Sequence, residues 1–305
     1  MRALVAAGAV ALLTISAVGC SQDQPNGGET KAANSSVKVV ASTDVWGSVT
    51  YAVTGDHATV TSIVYGTVAD PHSFEASPAD TAEISDASLV VFNGGGYDHW
   101  VDEILAANPG VPNVDAYSLL ATTPQPANEH VFYDLGAVKA VANSIAEKLS
   151  ESDSAHAADY ATNAAQFGEQ LDTIAAAQRA VGQAHPGVSV VSTEPVAYYA
   201  LRNAGINDKT PAAFADAMEQ GNDPAPVDVA AMLDLIKSRE VSAIVVNTQT
   251  ETAVTQQIVD AARQASLPVI SVTETLPEGL DYLGWQRATV DEIAAQLDSA
   301  PPASR

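Results

Sequence analysis

The chain has 305 residues, of which 13 are Lys or Arg and 37 are Asp or Glu, giving a formal net charge of −24, and 47% are apolar. That apolar content, beside a charged fraction of only 16%, excludes wholesale disorder, which needs low hydrophobicity together with high net charge. Six lysines and seven arginines make no basic stripe, which excludes nucleic acid as a partner, and the field of the protein attracts cations.

Residues 1–19 carry one basic residue, Arg2, followed by an apolar run from Ala3 to Val18 that ends at Gly19-Cys20. The run is too short for a membrane-spanning helix and has the form of a processed signal. Ala17-Val18-Gly19-Cys20 resembles a lipobox, so residues 1–19 are expected to be removed and Cys20 to be acylated. Cys20 is the single cysteine of the chain, which excludes internal disulfides and Cys-rich metal sites. Residues 20–36 hold almost no large apolar side chain and form a flexible tether. The folded part is therefore expected outside the cytoplasmic membrane, anchored to its outer face through the lipid on Cys20.

From Val37 onward, short β-branched runs alternate with Ala-rich amphipathic stretches, the pattern of βα units on a parallel sheet. Strands are predicted at 37–41, 58–64, 88–92 and 111–114, with helices at 45–53, 78–84 and 98–107 between them. Two further helices follow at 135–150 and 155–183, a stretch without proline. After His185-Pro186-Gly187 the alternation resumes, with strands at 188–191, 243–246 and 269–272 and helices at 195–203, 227–237, 253–264 and 290–297. The fold class is α/β: two lobes, each a parallel sheet flanked by helices, joined by one long helix. The boundaries are an N-terminal lobe at 37–150, a linking helix at 151–184 and a C-terminal lobe at 185–305.

Ligands of open parallel sheets bind beyond the carboxyl ends of the strands. Asp70-Pro71-His72 follows one strand, Ser192-Thr193-Glu194 a second, Thr273-Glu274 a third, and His130 lies in the loop Asn128-Glu129-His130. Two imidazoles and two carboxylates from both lobes suffice for a divalent metal without cysteine. Their wide spacing forms no local ligand motif, so the residues alone leave surface and helix-capping roles open. Histidines 57, 99, 156 and 185 have the character of surface or turn residues, and Gly94-Gly95-Gly96 is a tight turn rather than a phosphate loop, since no Lys-Ser/Thr follows it.

The segment Asp70-Pro71-His72-Ser73-Phe74-Glu75-Ala76-Ser77-Pro78-Ala79-Asp80 resembles the DPHxxExxPxD motif of the metal-binding lipoproteins that serve ABC importers of zinc, manganese and iron, the ZnuA/TroA-like solute-binding proteins. Asn93 to Trp100 resembles the NGxGxxxW segment of that family, Gly221 to Asp228 its GNDPSPxD segment, and Asn128 to Asp134 its DPHxWxD segment, with Glu129 in place of the proline and Phe132 in place of the tryptophan. The resemblance spans the mature chain. It implies His72, His130, Glu194 and Glu274 as metal ligands, with Asp281 as the nearest substitute for Glu274. It also implies a long helix between the lobes and a monomeric carrier, not an enzyme, that hands its cargo to the membrane permease of an ABC importer.

Zn(II) and Mn(II) are the expected cargoes, with Fe(II) behind them. Two carboxylates suit Mn(II) or Fe(II), and bidentate binding would raise the coordination number above four, yet affinity generally rises from Mn(II) to Zn(II). No His-rich loop is present, since 115–127 contains no histidine. Two other classes compete: a metal-dependent hydrolase using the same cluster, for which no separate general base is evident, and a metal-independent surface adhesin. A siderophore or cobalamin carrier shares the two-lobe plan but calls for aromatics or arginines in the cleft.

Overall fold

The computed structural model describes residues 37–66, 71–120 and 128–301. The expected signal peptide, the tether, Cys20, Asp70 and the loop 121–127 lie outside the described residues. No helix among those described is long and apolar enough to cross a membrane.

The first lobe runs β1 (Lys38–Thr43), α1 (Asp44–Thr54), β2 (Thr59–Val64), α2 (Pro78–Ser85), β3 (Leu89–Phe92), α3 (His99–Ala107) and β4 (Asn113–Asp115). All its strand pairs are parallel, in the order β2-β1-β3-β4. Every residue of β3 is buried, as are five of the six in β1; helices cover both faces, and this is why these strands are continuous β-branched runs rather than alternating ones. The second lobe repeats the plan with β5 (Ser189–Ser192), α6 (Tyr198–Ala204), β6 (Asn207–Asp208), α7 (Ala212–Glu219), α8 (Pro226–Lys237), β7 (Ala243–Asn247), α9 (Ala253–Gln264) and β8 (Val269–Val272), ordered β6-β5-β7-β8 and again all parallel. α4 (Leu135–Ser152) packs on the first lobe, α5 (Ala157–Ala184) runs along both lobes, and α10 (Tyr282–Ser299) follows β8.

The helix starts follow local chemistry. Ser77 and Asp80 form a reciprocal capping box on α2, with Pro78 in its first turn. Asp134 caps α4 by accepting from Gly136 and Ala137, and Thr252 and Thr255 make the corresponding box on α9. The helix expected at 290–297 begins earlier, at Tyr282, because Asp281 caps it by accepting from Gly284 N at 2.7 Å. Two elements went unpredicted. β6 has only two residues, and α7 presents only Phe214 and Met218 to the core, too few to reveal a helical period.

The 28-residue α5 is about 42 Å long at roughly 1.5 Å of rise per residue. Its stripe of Tyr160, Ala164, Phe167, Leu171 and Ile174 belongs to one hydrophobic cluster that includes Val39, Ala41 and Trp46 of the first lobe and Val190, Val245, Ile270 and Trp285 of the second. The lobes therefore share a core rather than being joined by a bare stalk. Hydrogen bonds also cross between them: Tyr282 Oη donates to Phe132 O at 2.6 Å and Tyr133 Oη to Thr273 O at 2.9 Å.

Near its end α5 meets α6 so closely that a Cβ on Gly182 would overlap the carbonyl of Ala204. Backbone cannot move aside as a side chain can. Gly182→Ala is expected to lower unfolding free energy by about 1–3 kcal/mol through overpacking, whereas Gly110→Ala, with open space around its Cβ position, is expected to stay within about 0.5 kcal/mol; paired thermal melts check the contrast.

Candidate metal centre

The carboxyl ends of both sheets face one cleft of about 480 Å³. His72 enters it from the 3-10 turn Pro71–Ser73 that follows β2, and His130 from the residue before the turn Val131–Tyr133. Glu194 follows β5 and Glu274 follows β8. All four line the cleft, but they are not equally gathered. One ligand atom from each of His72, His130 and Glu274 lies within 4.8 Å of the other two, and no other such trio occurs among the described residues.

Glu274 Oε2 is the focus. It lies 3.2 Å from His72 Nε2 and 3.5 Å from His130 Nε2, and the residue is buried. Two ligands each about 2.0–2.1 Å from a tetrahedral ion stand roughly 3.3–3.4 Å apart, so the spacing matches that of atoms sharing a metal. Burial would raise the Glu274 carboxyl, but the two facing imidazoles outweigh it and hold the group well below the carboxylate range, hence ionised.

The outward nitrogens are fixed by partners. Asn128 Oδ1 accepts from His130 N at 2.9 Å and lies 3.1 Å from His130 Nδ1, while Asn128 Nδ2 donates to Pro195 O at 3.0 Å. These contacts settle which way the amide points. An amide oxygen only accepts, so Nδ1 carries a proton; the protonated ring also faces Glu274 with Nε2–H, and once that proton is lost the neutral ring keeps Nδ1–H and offers the Nε2 lone pair to the cleft. His72 is arranged likewise, with Nδ1 3.2 Å from Glu129 Oε1, a carboxylate–histidine pairing that sets ring orientation at metal sites.

Glu194 is placed differently. Its Oε1 accepts from Thr250 Oγ1 at 2.6 Å and its Oε2 from Asn247 Nδ2 at 2.6 Å. Burial raises its carboxyl above the usual value, with both bonds opposing. Asp281, the substitute fourth ligand, is occupied as the cap of α10 and lines a different groove. His57 and His156 pair with Asp159 and Asp153 and stack on each other at 4.0 Å, and His185 pairs with Asp298, all outside the cleft lining.

Several contributors escaped the sequence reading. Glu219 at the end of α7 brings a carboxylate 3.5 Å from His130 Nδ1, and burial pushes its pKa up to about 7. Asn247 ends the central strand β7 and Thr250 lies three residues beyond it, at the same sheet edge as Glu194 and Glu274. Asp44 opens α1 and bridges the lobes, its Oδ2 accepting from Gly66 N at 2.8 Å and its Oδ1 from Leu276 N at 3.1 Å.

Burial would lower the His130 pKa, but the hydrogen bond that the protonated ring donates to Glu274 and the charge of Glu219 raise it above the ordinary 6.5. A metal ion must displace that proton, so affinity falls as pH drops through a window that opens above 6.5, by about tenfold per unit for each proton displaced. Titrations from pH 8 to pH 5.5 are expected to show a loss of about two orders of magnitude. A constant affinity over this range contradicts the assignment of His130.

Residues 39–296 match the family model described as ZnuA, zinc-uptake complex component A, periplasmic. The chain belongs to the ZnuA family. Among curated relatives, it is 22% identical to the metal ABC transporter substrate-binding lipoprotein ScbA of Streptococcus cristatus, over 94% of this chain and 97% of that one. It is 23% identical to the manganese-binding lipoprotein MntA of Halalkalibacterium halodurans, over 78% and 79%. The periplasmic zinc-binding protein TroA from Treponema pallidum superposes with a TM-score of 0.74 at 17% identity, covering 86% of this chain and 99% of that one. At that identity the superposition speaks for the fold alone: a ZnuA-family architecture of two parallel sheets and a long helix.

Proposed function

We propose that this ZnuA-family protein is the extracytoplasmic capture component of an ABC importer. It takes up a divalent transition metal, zinc or manganese, between its lobes and delivers it to the membrane permease. Family membership sets it among solute-binding proteins rather than enzymes. His72, His130 and Glu274 are the metal ligands, with Glu194 completing the set. The observation that carries this reading is the convergence of His72 Nε2 and His130 Nε2 on one buried carboxylate oxygen, Glu274 Oε2. The charges of Glu194 and Glu274 offset that of the ion, which favours its burial.

The reading extends to the whole chain. Residues 1–19 are a signal, Cys20 is acylated, 20–36 tether a monomer to the outer face of the membrane, and 37–150, 151–184 and 185–305 are the lobe, linking helix and lobe.

The test is a calorimetric titration of protein beginning at Ser21, stripped by chelator, with Zn(II) and with Mn(II). One site per chain is expected, absent from His72→Ala, with a metal-dependent rise in Tm of the parent protein. Failure of the parent protein to bind either ion stoichiometrically would return His72 and His130 to a structural role.

A further inference from the structure

Asn247, the last residue of β7, is 1% exposed and makes no ion pair. Its amide nitrogen reaches Glu194 Oε2 at 2.6 Å and Glu274 Oε1 at 2.6 Å, one hydrogen for each carboxylate. The amide cannot be turned the other way, because Asn247 Oδ1 accepts from Gln249 N at 3.1 Å and two ionised carboxylates accept only. The backbone is pinned as well, since Asn247 N donates to Thr193 Oγ1 at 3.1 Å. One buried side chain thus grips both acidic members of the site from behind.

The grip divides the oxygens of Glu274 into two kinds. Oε1 is tied to Asn247, whereas Oε2 faces both imidazoles, 3.2 Å from His72 Nε2 and 3.5 Å from His130 Nε2. Glu194 has a hydrogen bond on each oxygen, from Asn247 and from Thr250. A carboxylate binds an ion through both oxygens only when both turn toward it. The bond to Asn247 turns Glu274 Oε1 away from the imidazoles, so Glu274 presents Oε2 alone, and Glu194, which keeps a free lone pair on each bonded oxygen, adds one more, for two nitrogen and two oxygen ligand atoms.

We infer that Asn247 is a specificity-determining residue, which holds Glu274 to single-oxygen binding and thereby keeps the site four-coordinate, favouring Zn(II) over Mn(II). Four ligands in a tetrahedron suit Zn(II), whereas Mn(II) is served by six-coordinate, oxygen-rich sites. The ligand types read from the sequence leave Zn(II) and Mn(II) both open, and the residue that orients the carboxylates bears on the choice. The inference rests on the proposed ligand set and adds to it a residue that touches no metal.

The test compares the parent protein with Asn247→Ala and Asn247→Leu, titrating Zn(II) and Mn(II) in competition with a chelator and measuring zinc coordination number by X-ray absorption. Releasing Glu274 Oε1 in Asn247→Ala is expected to improve Mn(II) affinity relative to Zn(II) by about tenfold or more, and to raise the coordination number above four. Asn247→Leu keeps most of the volume but supplies no donor, and is expected to move the ratio in the same direction even if the alanine variant folds poorly. A parent protein with five or six protein ligand atoms on zinc overturns the inference. So does a folded variant in which both affinities change equally, since a merely structural residue has that signature. If the parent protein binds neither ion, the proposed function fails instead.

Discussion

Glu274→Gln is expected to weaken metal binding by roughly 150- to 5,000-fold. Removing one member of a buried charged set costs about 3–5 kcal/mol, and each 1.4 kcal/mol is about a factor of ten in affinity. Glutamine keeps the length of the side chain but removes the charge that faces both imidazoles at 3.2 and 3.5 Å. Competition against a chromogenic chelator measures the loss, and an affinity within tenfold of the parent protein would remove Glu274 from the ligand set. The apo protein offers a second readout. The folded pKa of Glu274 lies below its ordinary value of 4.5, so its stability contribution is present above pH 4.5 and fades as pH falls through the depressed value. The stability gap between parent and variant is therefore expected to be widest near neutrality and to narrow in acid.

Asp44→Ala is expected to lower apo unfolding free energy by about 2–5 kcal/mol and to speed metal release about tenfold. The carboxylate holds two backbone N–H groups, Gly66 at the end of the β2 strand loop and Leu276 two residues after Glu274. Hydrogen bonds to charged groups contribute about 1.5–3 kcal/mol each, and alanine leaves both donors without that acceptor. Thr275 Oγ1 still donates to Gly66 O at 3.0 Å, so contact between the lobes weakens without vanishing. Calorimetric melts and stopped-flow chelation check the two effects. A variant with the stability loss but an unchanged release rate would make Asp44 a strut alone, uncoupled from the site.

How much of this was legible in the sequence depended on the range of each interaction. The buried strands were readable because a β-branched run such as Leu89–Phe92 carries its burial in its own composition. The long helix was readable from its lack of proline and its polar, Ala-rich length. Where an element depends on a distant partner, the sequence carried little: α7 forms with only two core side chains, and the start of α10 rests on one capping aspartate. The four candidate ligands came from the strand-end rule and from a family resemblance. The residues that orient them, Asn128, Glu129 and Asn247, act through contacts of 2.6–3.2 Å that no spacing encodes. Asn247 shows the limit well, for a lone asparagine after a strand looks like a turn residue until two carboxylates are found on its amide.

The core shared by the two lobes has a bearing on timing. Opening the cleft by swinging one lobe away would expose Phe167, Leu171, Trp285 and their neighbours to water, at about 25 cal/mol for every Å² of apolar surface uncovered. Wide gaping is therefore costly, and on the proposed ligand set an ion would leave through small local shifts of the loops that bear His72, His130 and Glu274. Such a carrier behaves less like a hinged jaw than like a clock with a slow escapement. It retains its ion through many collisions with the surroundings, and the interval before discharge is set by whichever partner can displace those loops.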